Sequence, residues 1–175
     1  MNYKITDIQS LLEKFDTSGP RYTSYPTAPQ FHTDITRDDW NRALEKSNQS
    51  NKKISLYLHI PFCQSLCFFC GCNMQITRNQ ALVENYLRHL LLEMEMIAEK
   101  LESNRTVTQI HFGGGTPNFL NPTQIISLGE KINSLFNISK EVEFSCEIDP
   151  RTLTIAHTEA LVNIGVNRIS IGIQD

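Results

Sequence analysis

Ile54-Ser55-Leu56-Tyr57-Leu58-His59-Ile60, running through Pro61-Phe62 into Cys63-Gln64-Ser65-Leu66-Cys67-Phe68-Phe69-Cys70-Gly71-Cys72, orders the rest of the chain. Its first seven residues alternate and carry β-branched and aromatic side chains, which predicts a strand. The cysteines then fall on a loop at that strand's C-terminal end, the functional end of parallel α/β folds.

Downstream, strands and helices alternate. Leu82, Val83, Tyr86, Leu87, Leu90, Leu91, Met94, Ile97, Ala98 and Leu101 recur at helical spacing and predict a long amphipathic helix over 79–102. Gln109-Ile110-His111-Phe112 is the core of a second strand, ending at Gly113. Pro122 behind Asn121 opens a second helix, continued by Ile125, Leu128, Ile132 and Leu135. A third strand is expected over 142–148, a third helix from Thr154 to Ile164 closed by Gly165, and a fourth strand over 168–173. Four strands joined by three helices predict βαβ units with right-handed crossovers and parallel strands.

Upstream, residues 1–50 are polar and irregular, with helical candidates at Ile8-Leu11-Leu12-Phe15 and Asp38-Trp40-Ala43-Leu44 and a linker at 47–53. A closed barrel needs more strands than four, and an open sheet would leave its last edge bare. The chain therefore reads as the first half of a longer protein. An N-terminal segment, 1–52, precedes the first part of a TIM-like (β/α) barrel with parallel strands, 53–175, cut after the fourth strand.

Forty per cent hydrophobic and 20% charged residues suit a folded domain. A net charge of −3 with dispersed basic residues argues against nucleic acid as a partner. No stretch approaches the roughly 20 apolar residues of a membrane span, and Met1 to Ser10 lacks a signal-peptide core. A cytoplasmic location with no membrane partner is the expectation. Five cysteines, four of them between 63 and 72, then point to metal ligands or buried thiols rather than disulfides.

Thiolates suit iron–sulfur clusters or zinc. Zinc sites commonly separate two ligand pairs by a dozen residues or more, and ferredoxins space their cysteines differently, with a later Cys-Pro. Three residues between Cys63 and Cys67, two between Cys67 and Cys70, and an aromatic Phe69 resemble the cluster loop of the radical S-adenosylmethionine superfamily. That resemblance implies a [4Fe-4S] cluster on Cys63, Cys67 and Cys70. Its fourth iron is left open to the amino and carboxylate groups of S-adenosylmethionine.

Other residues have two readings. Gly113-Gly114-Gly115-Thr116-Pro117 is a tight turn or a close backbone approach to a ligand. It resembles the superfamily's GGE-type segment, with Thr116 where Glu is common, which implies contact with the methionine amino group. Glu147, inside an apolar strand, is a strand-end ion pair or, by the resemblance, a ribose contact. Cys146 beside it reads as a buried hydrophobe. Gln174 at the rim of the fourth strand is a plain polar group or a cofactor ligand. Tyr57 and His59 share a strand face as core polar residues or, by the resemblance, as a cofactor contact and a neighbour of the sulfonium. His32, His89 and His157 are expected to face solvent.

Cys72 in Gly71-Cys72-Asn73, Gly19-Pro20-Arg21-Tyr22-Thr23-Ser24-Tyr25-Pro26-Thr27-Ala28, Leu58-His59-Ile60-Pro61-Phe62-Cys63 and Ser170-Ile171-Gly172-Ile173-Gln174-Asp175 narrow the resemblance. Together they resemble the oxygen-independent coproporphyrinogen III oxidase (dehydrogenase) family of bacterial haem synthesis. The resemblance implies radical decarboxylation of two propionates of coproporphyrinogen III to vinyls, giving protoporphyrinogen IX. It further implies two S-adenosylmethionine molecules in the full-length enzyme, an external one-electron donor and an electron acceptor. A monomer is expected, and the fragment alone is expected to be inactive. Cys72 is a bystander or a residue needed for activity without being a ligand. Arg21, Tyr22 and Tyr25 form a structural turn or cover the site. The alternatives are a haem-chaperone-like relative without oxidase activity, which usually lacks Cys72 and the tyrosine-rich segment, and an iron–sulfur electron carrier or zinc-binding module.

Overall fold

A computed structural model describes residues 5–16, 30–50, 52–68 and 70–172. Arg21, Tyr22, Tyr25, Phe69 and Gln174 lie outside the described residues. Two compact units divide the chain, Met1–Trp40 and Asn41–Asp175. In the first, α1 (Ile5–Phe15) realises the first helical candidate. Thr36 and Asp39 exchange backbone and side-chain hydrogen bonds (Thr36 N to Asp39 Oδ2 2.9 Å, Asp39 N to Thr36 Oγ1 3.2 Å) and start α2 (Arg37–Gln49).

The second unit holds β1 (Ile54–Ile60), β2 (Phe62–Cys63), β3 (Gln75–Ile76), α3 (Gln80–Lys100), β4 (Thr106–Gly114), α4 (Pro122–Leu135), β5 (Asn137–Ile148), α5 (Ile155–Asn163) and β6 (Arg168–Ile171). The four long strands form one parallel sheet in the order β1-β4-β5-β6, so each crossover helix returns the chain to the neighbouring position. This is the expected α/β architecture. Strand alternation divides the faces. Leu58, Ile60, Ile110, Phe112, Phe144, Cys146 and Ile148 point one way, into a core with Val83, Leu87, Leu90, Met94, Ile125, Leu128, Ile132, Ala160 and Leu161 of the helices. Each such buried aliphatic or aromatic side chain contributes about 1.5–3 kcal/mol.

The opposite face is polar. Tyr57, His111, Ser145 and Arg168 lie side by side across the four strands. Below them Ser55 donates to Gln109 (2.8 Å), and Arg168 pairs with Glu143 (2.8 Å).

The helices start where their caps dictate. Asn121 and Gln124 form a capping box at α4, with Pro122 in the first turn. Asn79 caps α3 through the amides of Ala81 and Leu82.

Three expectations are corrected. The linker placed at 47–53 is helical to Gln49, where buried Arg105, far along the chain and just before β4, donates to the carbonyls of Ser47 (2.7 Å) and Lys52 (2.8 Å) and satisfies a helix-end acceptor. The third strand begins at Asn137, and its polar run Ser139-Lys140-Glu141 bulges between two registers, Val107 with Ile138 and Gln109 with Glu143. His157, expected in solvent, completes a capping box with Thr154 and donates from Nε2 to the Leu120 carbonyl (3.1 Å).

Candidate cluster and cofactor site

Among the described residues, His59, the Gly114–Thr116 segment and Glu147 lie at the C-terminal ends of β1, β4 and β5, beside the cysteine loop. The cysteine loop leaves β1 through Phe62, whose 1% exposed ring packs edge-on to Tyr86 (5.3 Å) and near Phe119 (5.7 Å). With Phe62 buried, alternation turns Cys63 to the other side. The short strands β2 and β3 pair in parallel, so both feet of the loop are pinned: Gln75 N donates to Pro61 O (2.6 Å) and Thr77 N to Cys63 O (3.1 Å). Within the loop Cys70 N donates to Cys67 O (3.1 Å), bending the chain between the second and third thiols.

The glycine segment lies against this loop. Gly115 N donates to Ile60 O (2.8 Å). A Cβ on Gly115 would stand 2.8 Å from the Pro61 carbonyl and 2.9 Å from Cys63 Sγ. Gly114 has φ +119°, and a Cβ there would meet the His59 ring at 2.8 Å. Thr116 Oγ1 lies 3.3 Å from Cys63 Sγ. The turn is tight, and at Gly115 it sits beneath the Cys63 thiol.

His59 ties the far limb of the loop. Its Nε2 is 2.7 Å from the Asn73 carbonyl, which can only accept, so Nε2 carries the proton. Nδ1 then accepts from the Tyr57 hydroxyl at 3.0 Å. Tyr86 Oη donates to the His59 carbonyl (2.5 Å) from the helix side. Burial raises the titration of both tyrosines, with the Glu147 and Cys72 charges adding to it at Tyr57 and the Glu93 and Tyr57 charges at Tyr86.

Glu147 and Cys146 take opposite faces, as alternation predicts: Cys146 is 1% exposed, whereas Glu147 looks into the polar side. Glu147 Oε2 accepts from Gly114 N (3.2 Å), and Oε1 is 3.5 Å from His111 Nε2, an ion pair when the imidazole is protonated. His111 stacks on Tyr57 (5.7 Å, 19°) and its Nδ1 meets Ser145 Oγ (2.7 Å). A cleft of about 260 Å³ runs between these groups, lined by Cys67, Cys72, Gly114, Thr116, Glu147 and Arg151.

Sequence reasoning passed over His111, Ser145, Asn118, Asp149 and Arg151. The usable signal was position. His111 shares the parity of Tyr57 across the sheet, and Asp149-Pro150-Arg151 follows directly on a strand's C-terminal end.

Burial is the main cause that pushes the Cys63 thiol up, the Thr116 hydroxyl partly offsets it, and the charges of Cys70, Cys67 and Asp149 add to it. Cys72 is raised by burial and then by Cys70. Crowded thiols resist losing protons together until a metal supplies the positive charge. Among the described residues no three His, Cys, Asp or Glu converge as ligands of a single metal ion.

Residues 57–175 match the Radical SAM superfamily. The chain is 41% identical over 167 residues to the oxygen-independent coproporphyrinogen III oxidase of Pseudomonas aeruginosa, covering 94% of this chain and 36% of that one. To the protein so described in Mannheimia haemolytica it is 46% identical over 141 residues, covering 81% of this chain and 94% of that one. A solved structure, coproporphyrinogen III oxidase from Escherichia coli, described as a radical SAM enzyme, superposes with a TM-score of 0.83 at 38% identity, over 95% of this chain and 36% of that one. The chain thus spans about a third of the length of most curated relatives it matches.

Radical SAM membership implies a [4Fe-4S] cluster and S-adenosylmethionine. The residues fit: soft thiol donors occur on one pinned loop, and the glycines beneath leave room that any Cβ would fill. The chain belongs to the radical SAM superfamily and, within it, to the oxygen-independent coproporphyrinogen III oxidase family.

Proposed function

We propose that this chain forms the cluster- and cofactor-binding part of an oxygen-independent coproporphyrinogen III oxidase, which decarboxylates two propionates to vinyls and yields protoporphyrinogen IX in haem biosynthesis. One observation carries the reading: the cysteine loop, the Gly114–Thr116 segment and Glu147 meet around a single cleft at the strand ends. When bound, the cluster and S-adenosylmethionine would supply the one-electron radical chemistry that hydrogen abstraction at a propionate β-carbon needs.

The chain's own residues bind and orient. Cys63, Cys67 and Cys70 hold the cluster. Tyr57, Gly114, Gly115, Thr116 and Glu147 cradle the cofactor, with Phe69 and Gln174 assigned to it by family resemblance. Glu147, held by the Gly114 amide, offers an acceptor for hydroxyl groups. The Tyr57 hydroxyl donates to His59, and His59 holds the limb bearing Cys72, which is assigned to activity rather than ligation. A second S-adenosylmethionine, an external one-electron donor, an electron acceptor, a monomeric state and a cytoplasmic location complete the proposal. In support of the last, no helix among the described residues is long and apolar enough to cross a membrane.

The test has two stages. Anaerobically purified protein is expected to carry a cluster whose electron paramagnetic resonance signal changes on adding S-adenosylmethionine. A chimera with this chain in place of the matching third of the Escherichia coli relative is expected to form vinyl product from coproporphyrinogen III. A colourless zinc protein, or a chimera that takes up haem and makes no vinyl product, would overturn the proposal.

A further inference from the structure

The loop after β5 aims one guanidinium at the cysteine loop. Asn118, 2% exposed, accepts from Asp149 N (2.9 Å) and donates to Asp149 O (3.0 Å) and Thr152 Oγ1 (3.0 Å). The loop is thereby fastened to the turn that follows the glycine segment. Arg151 then folds back on Asp149: its N and Nε donate to Oδ1 (3.0 and 2.9 Å) and its Nη2 to Oδ2 (2.7 Å). The two-pronged pairing holds the planar group in one orientation. That same Nη2 stands 3.8 Å from Cys67 Sγ, within reach for an N–H···S hydrogen bond. A cleft of about 230 Å³ lined by Ser65, Cys67, Thr116, Asp149 and Arg151 lies between the two loops.

We propose that Arg151, oriented by Asp149 and Asn118, tunes the potential of the site: its N–H···S bond to the Cys67 thiolate stabilises the one-electron-reduced cluster. The proposal rests on the cluster reading above. Hydrogen bonds to ligating sulfur and nearby positive charge raise cluster potentials, because reduction adds negative charge that spreads onto the thiolates. One electron enters from an external one-electron reductant, no covalent bond forms or breaks, and the added charge is met by the guanidinium. Cys63 receives a comparable partner in the Thr116 hydroxyl, so two of the three ligands have a donor from a facing strand end. Asp149 neutralises part of the Arg151 charge, and the directed N–H therefore matters as well as the charge.

The experiment is an anaerobic redox titration, followed by electron paramagnetic resonance, of the chain loaded with iron and sulfide. Wild type is compared with R151M, R151K and a remote charge control, K131Q, whose Lys131 pairs with Glu95 on the helical side. The expected result for R151M is about a tenfold loss in the reduction equilibrium, or about 59 mV downward for a one-electron couple. R151K falls between, and K131Q matches wild type. Equal potentials in all four proteins overturn the proposal, as does an equal shift in K131Q. Loss of cluster from R151M while R151K keeps the wild-type potential assigns a structural role and overturns it too. A change seen only after adding S-adenosylmethionine would put Arg151 on the cofactor's carboxylate instead. Wild-type protein that takes up no cluster fails the cluster reading itself, a result separable from failure of the Arg151 proposal.

Discussion

Gly115 lies directly beneath Cys63: a Cβ at 115 would stand 2.9 Å from Sγ and 2.8 Å from the carbonyl of Pro61. Backbone, not a flexible side chain, blocks the space, so a methyl group can enter only by lifting the cysteine loop or the glycine segment. G115A is therefore expected to lower iron content severalfold. It should cost about 1–3 kcal/mol as an overpacking change. Iron analysis and urea denaturation check both, and a fully loaded G115A of normal stability would remove the glycine from the argument.

Tyr86 joins α3 to the end of β1 through its bond to the His59 carbonyl (2.5 Å). Y86F should lose about 1 kcal/mol, read as a lower urea midpoint with unchanged slope. Because the folded state raises the Tyr86 titration, mainly by burial, its contribution is fully present below the unfolded value near 10 and is lost as pH rises through the folded value. The wild-type advantage over Y86F should shrink in that alkaline window. An advantage that is constant there contradicts the assignment.

His59 binds the limb carrying Cys72 through the Asn73 carbonyl (2.7 Å). In H59A, hydrogen exchange around residues 72–74 should accelerate about fivefold, the factor for one hydrogen bond of about 1 kcal/mol. Cys63, Cys67 and Cys70 precede that tether, so cluster uptake should persist. Exchange at the wild-type rate would show the bond to be dispensable.

Cys146 is sealed on the helical face, and its thiol is pushed up to about 12, first by burial and then by the neighbouring Glu147 carboxylate. Cluster-free protein treated with iodoacetamide at pH 8 should be labelled at Cys63, Cys67, Cys70 and Cys72 but not at Cys146 until denaturant is added. Mass spectrometry of the peptides decides it. Labelling of native Cys146 at the pace of the loop cysteines would contradict its placement.

Where structure follows from neighbours in the chain, the sequence was sufficient. Alternation in Ile54–Ile60 places Tyr57 and His59 on one face, and the same rule separates Cys146 from Glu147. Asn121-Pro122 and Thr154 mark helix starts because capping is local chemistry. The cysteine spacing, by its resemblance to the radical S-adenosylmethionine cluster loop, put Cys63, Cys67 and Cys70 forward as one ligand set. The end of α2 was not legible in this way, because Arg105, just before β4, reaches back to the Ser47 carbonyl. Nor was the β2–β3 pair, since two-residue strands carry no periodicity and exist only because Pro61 and Cys63 offer carbonyls to Gln75 and Thr77.

The sequence by itself thus determined the α/β order, the face each strand residue takes and the cysteines that can act together. Only the tertiary structure decided what stands around them. It set Gly115 under Cys63, Thr116 beside its sulfur, His59 against Asn73, and Arg151 at Cys67 by way of Asp149 and Asn118. The reason is physical: helix and strand periods and caps act within a few residues, whereas these pairings join residues far apart in the chain, most of them at different strand ends. They exist only once the parallel sheet aligns those ends.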